Sequence, residues 1–321
     1  MTLLRCFAFA VLAAVSLPFA HAASYPEKPI HIVVPFPAGA GTDAVARVVA
    51  QKLGESMPVP VIVDNRPGAS GAIGAGEVAR AEPDGYTLLF VASPFTTVAA
   101  VSVSAGYDPG RSFVPIAPIA VGPLAFVVGN DVPATTMREF VALARARPGK
   151  LNYGSAGTGS VNHLALELLK ARAGIDIVHV PYKGIAPATI DLLSGQIQCL
   201  TASIPAALPY VAQNRVRVLA VTGPTRSALL PDVPTWSESG IPDADVINYW
   251  GIVAPAGTPR AIVFRLNAEV ARVLEQPDVK DRLEREGSEL VVGSPDRLRA
   301  IVDADLARWR KLVAETGMRL D

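Results

Sequence analysis

Cysteine is scarce in this chain of 321 residues, which contains only Cys6 and Cys199. Neither sign of charge is in excess, because 29 Lys and Arg residues balance 29 Asp and Glu residues. Nucleic acid is therefore not an expected partner, since its phosphates are bound through an excess of basic side chains. After the first 22 residues the sequence has no apolar run long enough to span a bilayer.

The first 22 residues have the parts of an export signal. Arg5 supplies the positive charge, an apolar run follows, and residues 20–22 (AHA) fit the small-x-small cleavage pattern. A transmembrane anchor is the alternative, but the run is shorter than a span needs and Pro18 interrupts it. We therefore expect an exported protein in which Cys199, in an apolar strand, is a buried, inert and unpaired thiol.

Short β-rich runs alternate with amphipathic helical patterns along the rest of the chain, as in parallel sheets with helices on both faces. The β-rich runs are IHIVVPF, PVIVDN, YTLLFVAS, LAFVVGN, KLNYGSAG, IDIVHVPY, IQCLTAS, VRVLAVTG, NYWGIVAP and ELVVG. The helical patterns include TDAVARVVAQKLGESM, TMREFVALARARPGK, SVNHLALELLKARAG, TPRAIVFRLNAEVARVLEQ and SPDRLRAIVDADLARWRKLVAETG. The chain is long enough for two domains or one large α/β unit.

Two stretches run from a strand through small residues into a helix, VVPFPAGAGTDAVA and LNYGSAGTGSVNHLALELL. The first predicts a loop over residues 37–41 and a helix capped by Thr42 or Asp43, and the second a loop over residues 154–160. Such loops let a ligand approach the backbone, and helix N-termini favour an anion. Two cradles of this kind indicate one ligand held from both sides, although plain capping explains Asp43 and Ser160 equally well.

Motifs of the common enzyme classes are missing. The loop at Gly39 lacks the dinucleotide spacing, and the chain has neither a Gly-Lys-Ser/Thr phosphate loop nor a Gly-x-Ser-x-Gly elbow. The histidines lack metal-ligand spacing, so we expect no metal and no cofactor. An exported serine hydrolase that uses Ser155 or Ser160 with His163 is the alternative of another class; the more ordinary interpretation places His163 in a pocket lining.

Long ordered blocks of the chain resemble the Bug family, the exported solute-binding receptors of tripartite tricarboxylate transporters. The blocks are YPEKPIHIVVPFPAGAGTDAVAR, VIVDNRPGASGAIGAGEVARAEPDGYTLL, KLNYGSAGTGSVNHLALELL, HVPYKGIAPATIDLLSGQIQ, LAVTGPTRSALLPDVPTWSESG and GIVAPAGTPRAIVFRLN. The resemblance covers almost the full length after the signal.

This resemblance implies a two-lobed periplasmic binding protein, α/β in class, with a mainly parallel sheet in each lobe and the ligand in the cleft between them. Residues 23–122 and 249–321 would form one lobe and residues 123–248 the other. The implied function is capture of a small organic carboxylate by a monomeric receptor and delivery to the permease subunits in the membrane. A receptor that signals to a sensor kinase is the alternative within the binding class.

The resemblance also implies which residues contact the ligand. A carboxylate would be held largely by backbone N–H and hydroxyl groups of the two loops, with Phe36 beside the ligand and Asp43 orienting a water or an amino group. The expected contacts in the two loops are Ala38, Gly39, Ala40 and Thr42 on one side and Ser155, Gly157, Thr158, Ser160 and His163 on the other. Those at the far end are Ser93, Tyr182, Gly184 and Ser203. Ala40 replaces the second glycine of the family's usual Pro-Phe-x-x-Gly-Gly pattern.

Overall fold

The computed structural model describes residues 25–39, 41–102, 105–285 and 287–317. The predicted export signal and Ala40 lie outside these residues. The described residues form ten strands, β1 (Ile30–Val34), β2 (Val61–Asn65), β3 (Thr87–Ala92), β4 (Phe113–Gly129), β5 (Asn152–Ser155), β6 (Val178–Pro181), β7 (Cys199–Ser203), β8 (Val216–Val221), β9 (Ile247–Pro255) and β10 (Glu289–Leu290). Each of the ten β-rich runs of the sequence overlaps one of them.

Ten α-helices occur in the same described residues, together with a short 3-10 helix (Ala69–Gly71). They are α1 (Gly41–Ser56), α2 (Ala72–Ala79), α3 (Pro94–Val101), α4 (Met137–Ala146), α5 (Val161–Ala173), α6 (Ile185–Leu193), α7 (Ile204–Ala212), α8 (Arg260–Leu274), α9 (Pro277–Arg285) and α10 (Pro295–Thr316). The five helical patterns quoted from the sequence correspond to α1, α4, α5, α8 and α10.

The sheet is mixed, and its strand order is β2-β1-β3-β9-β4-β7-β5-β6, with β8 and β10 also paired to β4. The outer strands pair in parallel, as expected: β1 with β2 and β3, and β5 with β6 and β7. Among the described strands, the pairs that involve β4 or β9 are all antiparallel instead. The long returning strands thus join two groups of parallel strands.

Strand β4 connects the two groups along its 17 residues. It pairs with β9 as far as Pro123 and with β7 from Leu124 onward. Its first half contains Pro115 and Pro118, which lack the N–H that a ladder needs, and the register with β9 shifts directly after each of them. The sequence therefore predicted only the second half of this strand.

Helix α10 packs against both groups of strands. Leu298 and Val302, near its start, belong to a core cluster with residues of β3 and β9. Trp309 and Leu312, near its end, belong to another cluster with residues of β4, β5 and α5. The amphipathic pattern is long enough for both contacts, so this helix bridges the two halves of the sheet.

Candidate functional site

The carboxyl ends of both groups of parallel strands point to the middle of β4. Ala92, the last residue of β3, pairs with Trp250, which pairs with Ala120, whereas Ser203, the last residue of β7, pairs with Leu124. The four residue-to-residue steps from Ala120 to Leu124 span about 13 Å of strand. We call the region where these ends face each other the junction edge, and the loops that follow β1, β3, β5, β6 and β7 line it. Ligands of α/β proteins bind at such edges.

The loop between β1 and α1 is organised by Asp43. This carboxylate is buried and accepts hydrogen bonds from Gly39 N–H (2.8 Å), Arg47 Nε (2.8 Å) and Asn65 Nδ2 (2.8 Å). Burial alone raises the pKa of Asp43, but the hydrogen bonds from Arg47, Gly39 and Asn65 outweigh it and hold the pKa below its ordinary value of 3.8. Asp43 is therefore ionised and already fully engaged within the protein.

The expected capping of α1 by Thr42 or Asp43 is wrong, because the helix begins at Gly41 and both side chains lie in its first turn. Thr42 Oγ1 instead accepts a hydrogen bond from Trp250 Nε1 (3.3 Å). Ala38 and Gly39 are exposed at the tip of the loop and Phe36 is half-buried. The expectation for Ala40 lies outside the described residues.

The loop between β5 and α5 is held by its own hydroxyl groups. Ser160 is the N-cap of α5, and its Oγ accepts from His163 N–H and donates to the carbonyl oxygen of Gly157 (2.6 Å). Gly157 adopts a φ of 119°, which side chains rarely tolerate, and an added Cβ there would lie 3.2 Å from the carbonyl oxygen of Tyr182. This contact places the loop after β6 directly beside the loop after β5.

Ser155 lies under this loop rather than on its surface. It is fully buried, and its Oγ lies 2.7 Å from His179 Nε2 and accepts from Gly157 N–H (3.1 Å). His163 is also buried, and its Nδ1 accepts from Gly159 N–H (3.2 Å). Burial lowers the pKa of both histidines, that of His179 to about 4 with help from the neighbouring His163. The loop is thus supported by uncharged rings near neutral pH.

Three residues expected at the far end differ in what their side chains do. Ser93 is fully buried and its Oγ accepts from Tyr249 N–H (3.2 Å), at the start of β9. The hydroxyl of Tyr182 donates to Asp191 Oδ2 (2.6 Å). Ser203 is exposed and makes no capping hydrogen bond at α7. Gly184, the N-cap residue of α6, has a φ of 112°.

Several N–H groups at the junction edge remain available to a ligand. Within the part of the chain that the structure describes, the backbone N–H groups of Ala38, Thr158 and Gly184 donate to no protein acceptor. Each lies in a loop directly before a helix, so the helix dipole adds to its attraction for an anion. The geometry thus provides neutral donors for a negatively charged group.

Three residues of this site were missed at the sequence level: Thr97, His179 and Asn65. Thr97 Oγ1, on α3, donates to the carbonyl oxygen of Gly159 (2.7 Å) and so links the two halves directly. His179 is brought to Ser155 by the parallel register of β5 and β6. No local signal marks Thr97 or His179, because helix packing decides the contact of the first and strand pairing decides that of the second.

A family model described as "Tripartite tricarboxylate transporter family receptor" matches residues 45–318. BugT of Bordetella pertussis is 34% identical over 299 residues, which cover 92% of this chain and 92% of BugT. The chain belongs to this receptor family.

Solved structures of the family agree in fold. Rpa4515 of Rhodopseudomonas palustris with adipate has a TM-score of 0.82 and 36% identity, covering 92% of this chain and 99% of that one. MatC of the same organism with bound malate has a TM-score of 0.79 and 32% identity, covering 90% of this chain and 100% of that one. The periplasmic binding protein fold implied by the resemblance is confirmed.

Membership of the receptor family also decides between binding and catalysis. These receptors are periplasmic solute-binding proteins, not enzymes, so the serine hydrolase alternative is wrong. The geometry agrees, because Ser160 Oγ contacts the backbone N–H of His163 while the His163 ring accepts from Gly159. None of the helices in the described ranges is long and apolar enough to cross a membrane. Those ranges also contain no group of His, Cys, Asp and Glu suited to a metal ion.

Proposed function

We propose that the protein is an exported receptor that captures a small organic carboxylate at the junction edge and delivers it to the permease of a tripartite tricarboxylate transporter. The observation that carries the proposal is a pair of loops at the junction edge whose exposed residues Ala38 and Thr158 have backbone N–H groups without a protein acceptor, while the buried acid and histidines of these loops are already satisfied. The adipate and malate bound by Rpa4515 and MatC support the same ligand class.

The proposed lobes are residues 23–122 with 249–321 and residues 123–248. The change of partners of β4 between Pro123 and Leu124 supports a boundary at this point. Closure of these lobes would bring the loop at Ala38 toward the loop at Thr158. Because α10 packs on both halves, we expect it to bend or slide slightly during closure rather than move with one lobe.

Neutral donors suffice for the binding energy. A hydrogen bond to a charged group contributes roughly 1.5–3 kcal/mol, and micromolar affinity needs about 8 kcal/mol. Three or four N–H donors, with helix dipoles behind them, reach that value without an arginine. Such donors recognise a carboxylate but leave the rest of the ligand unspecified.

Lys183 favours a dicarboxylate within this class. It is the one charged residue in the loops that line the junction edge, it is exposed, and it makes no ion pair with a described carboxylate. Its neighbour Tyr182 abuts Gly157, so Lys183 lies next to the proposed cradle. We propose that the N–H donors hold one carboxylate and that the ammonium group of Lys183 attracts the second.

The test is calorimetric titration of mature protein that was unfolded and refolded to remove carried-over ligand. Adipate and malate should bind, and hexanoate, which has the carbon number of adipate but one carboxylate, should bind more weakly. Lys183→Met should weaken adipate binding about tenfold, equivalent to about 1.4 kcal/mol, and leave hexanoate unchanged. Lys150→Met is the matched control, because Lys150 is exposed at the opposite, amino-terminal end of β5.

The outcomes separate the two parts of the proposal. Absence of heat with every carboxylate, from protein that is folded, contradicts the carboxylate receptor. Equal binding of adipate and hexanoate, unchanged by Lys183→Met, contradicts the role of Lys183 alone. Export and cleavage after Ala22 are tested by N-terminal sequencing of protein recovered from the periplasm, which should begin at Ala23. Delivery is tested by uptake of the bound acid, which should require both the receptor and the permease.

A further inference from the structure

Three aromatic rings form a stack beneath the loop between β5 and α5. The rings of His163 and His179 lie 4.0 Å apart between centroids with an interplanar angle of 19°, and Tyr153 stacks on His179 at 5.0 Å. The rings come from three elements, α5, β6 and β5. Each histidine directs one ring nitrogen to a different part of the loop.

The hydrogen-bond network indicates which nitrogens are unprotonated. His163 Nδ1 accepts from Gly159 N–H, so its proton is on Nε2. Ser155 Oγ accepts from Gly157 N–H, and its own proton has two possible acceptors, Gly157 O at 3.2 Å and His179 Nε2 at 2.7 Å. The carbonyl of Gly157 already accepts from the hydroxyl and the N–H of Ser160. The Ser155 hydroxyl therefore donates its hydrogen bond to His179 Nε2, the nearer of the two acceptors, and His179 Nε2 carries no proton.

The charged groups around the stack compensate one another. Glu167 Oε1 accepts from the hydroxyl of Tyr153 (2.6 Å) and from Lys170 Nζ (2.7 Å). These are the titratable groups that face the two histidines from β5 and α5. A carboxylate paired with an ammonium group gives little support to a second positive charge, and two stacked rings cannot both be charged without repulsion.

We propose that His179 and His163 are positioning residues that preset the β5–α5 loop for an anion, with His179 acting through Ser155. The neutral rings fix the orientation of Gly157 and Gly159, and this fixes the direction of the N–H of Thr158 between them. The inference rests on the proposed function, because the anion is the carboxylate proposed for the junction edge. The histidines themselves do not contact the ligand.

The test is a double-variant cycle measured with adipate by calorimetry. His179→Phe keeps a stacking ring but removes the acceptor, and it should weaken binding about fivefold. If His179 acts through Ser155, the double variant Ser155→Ala/His179→Phe binds no more weakly than Ser155→Ala alone. His179→Gln offers an amide oxygen as acceptor and should restore most of the affinity. His31→Phe is the matched control, since His31 lies on β1 and pairs with Asp64.

A spectroscopic measurement separates positioning from a merely structural role. Correlation spectra of the histidine ring nitrogens at pH 7 should show Nε2 unprotonated in His179 and Nδ1 unprotonated in His163. Ser155→Ala should alter the His179 nitrogen signal and leave that of His163 in place. The opposite tautomers, unchanged affinity in His179→Phe, or multiplied effects in the double variant would each overturn the inference.

The cycle can also be measured without ligand, by the free energy of unfolding of the same variants. Coupling between Ser155 and His179 in unfolding, together with the expected tautomers, shows that the two residues hold the loop even if no carboxylate binds. In that case the proposed function fails and the structural link survives. Absence of coupling in a protein that does bind adipate refutes the link alone.

Discussion

Replacing Asp43 by asparagine should destabilise the protein through one well-defined network. Asp43 Oδ2 accepts from Gly39 N–H and Arg47 Nε, and Oδ1 accepts from Asn65 Nδ2. Asparagine has one oxygen, so its new amino group must face a donor. The least costly arrangement points it at Asn65, which cannot turn over because its Nδ2 also donates to Phe36 O (3.0 Å) and its Oδ1 accepts from Arg47 (2.8 Å).

The magnitude follows from counting these contacts. One hydrogen bond is lost and two donors are left facing each other, while two bonds that were made to a charged acceptor become neutral. At about 1 kcal/mol for the lost bond, the same for the facing donors and the same for the two weakened bonds together, Asp43→Asn should lower the free energy of unfolding by about 3 kcal/mol. Because the bond that anchors the loop at Gly39 would also become a weaker, neutral one, binding of a carboxylate should weaken as well.

The assay is urea unfolding of the refolded protein at pH 7, followed by fluorescence and circular dichroism. Asp84→Asn is the control, because Asp84 forms an exposed ion pair with Lys28 at 3.0 Å and should cost less than about 1 kcal/mol. The folded pKa of Asp43 lies below its ordinary 3.8, so its contribution is complete above pH 3.8 and is lost as the pH falls through the folded value. The difference between Asp43→Asn and the wild type should therefore shrink below pH 4.

Two results would refute this reasoning. Equal unfolding midpoints for Asp43→Asn and the wild type at pH 7 would mean that the buried hydrogen bonds contribute nothing net. A stability difference that persists unchanged at the lowest pH would mean that the charge of Asp43 is not its origin.

Cys199 is buried, and burial raises the pKa of its thiol. A thiol reagent should therefore not label the native protein, and it should label one site per mature chain after unfolding. Fast labelling of the native protein would contradict the burial. Gly157→Ala should cost about 2 kcal/mol and weaken carboxylate binding, because the residue has a positive φ and faces the carbonyl of Tyr182. The control Gly106→Ala, with a positive φ but open space around it, should cost about 1 kcal/mol and leave binding unchanged. Trp309→Ala should cost about 4 kcal/mol, because its buried side chain packs in the core of the opposite half; a cost below 1 kcal/mol would contradict that packing.

Secondary structure was predictable where one element carries its own signal. The β-rich runs and the long amphipathic helices follow from side-chain periodicity, which needs no knowledge of partners. Helices α2, α3, α6, α7 and α9 were missed because eight or nine residues give barely two turns of periodic pattern. Prolines at the starts of α3 and α9 were the available signal, since proline favours the first turn of a helix.

Strand β4 shows where local rules fail. Pro115 and Pro118 argue against a central strand, yet both lie in one, because the register with β9 shifts beside them and no ladder N–H is required there. Only the position of β9 makes this possible. The sequence of β4 alone contains no information about it.

The sequence by itself determined the strands apart from the first half of β4, the longer helices, the two small-residue loops and, through long ordered blocks, the receptor family. Only the tertiary structure decided that Asp43 is engaged by Gly39 and Asn65, that Ser155 lies under its loop against His179, and that α10 bridges both halves. The physical reason is the separation along the chain over which each kind of interaction acts. Periodicity and turn chemistry act between residues a few positions apart, whereas strand register and helix packing bring together side chains whose distance along the chain leaves no local trace.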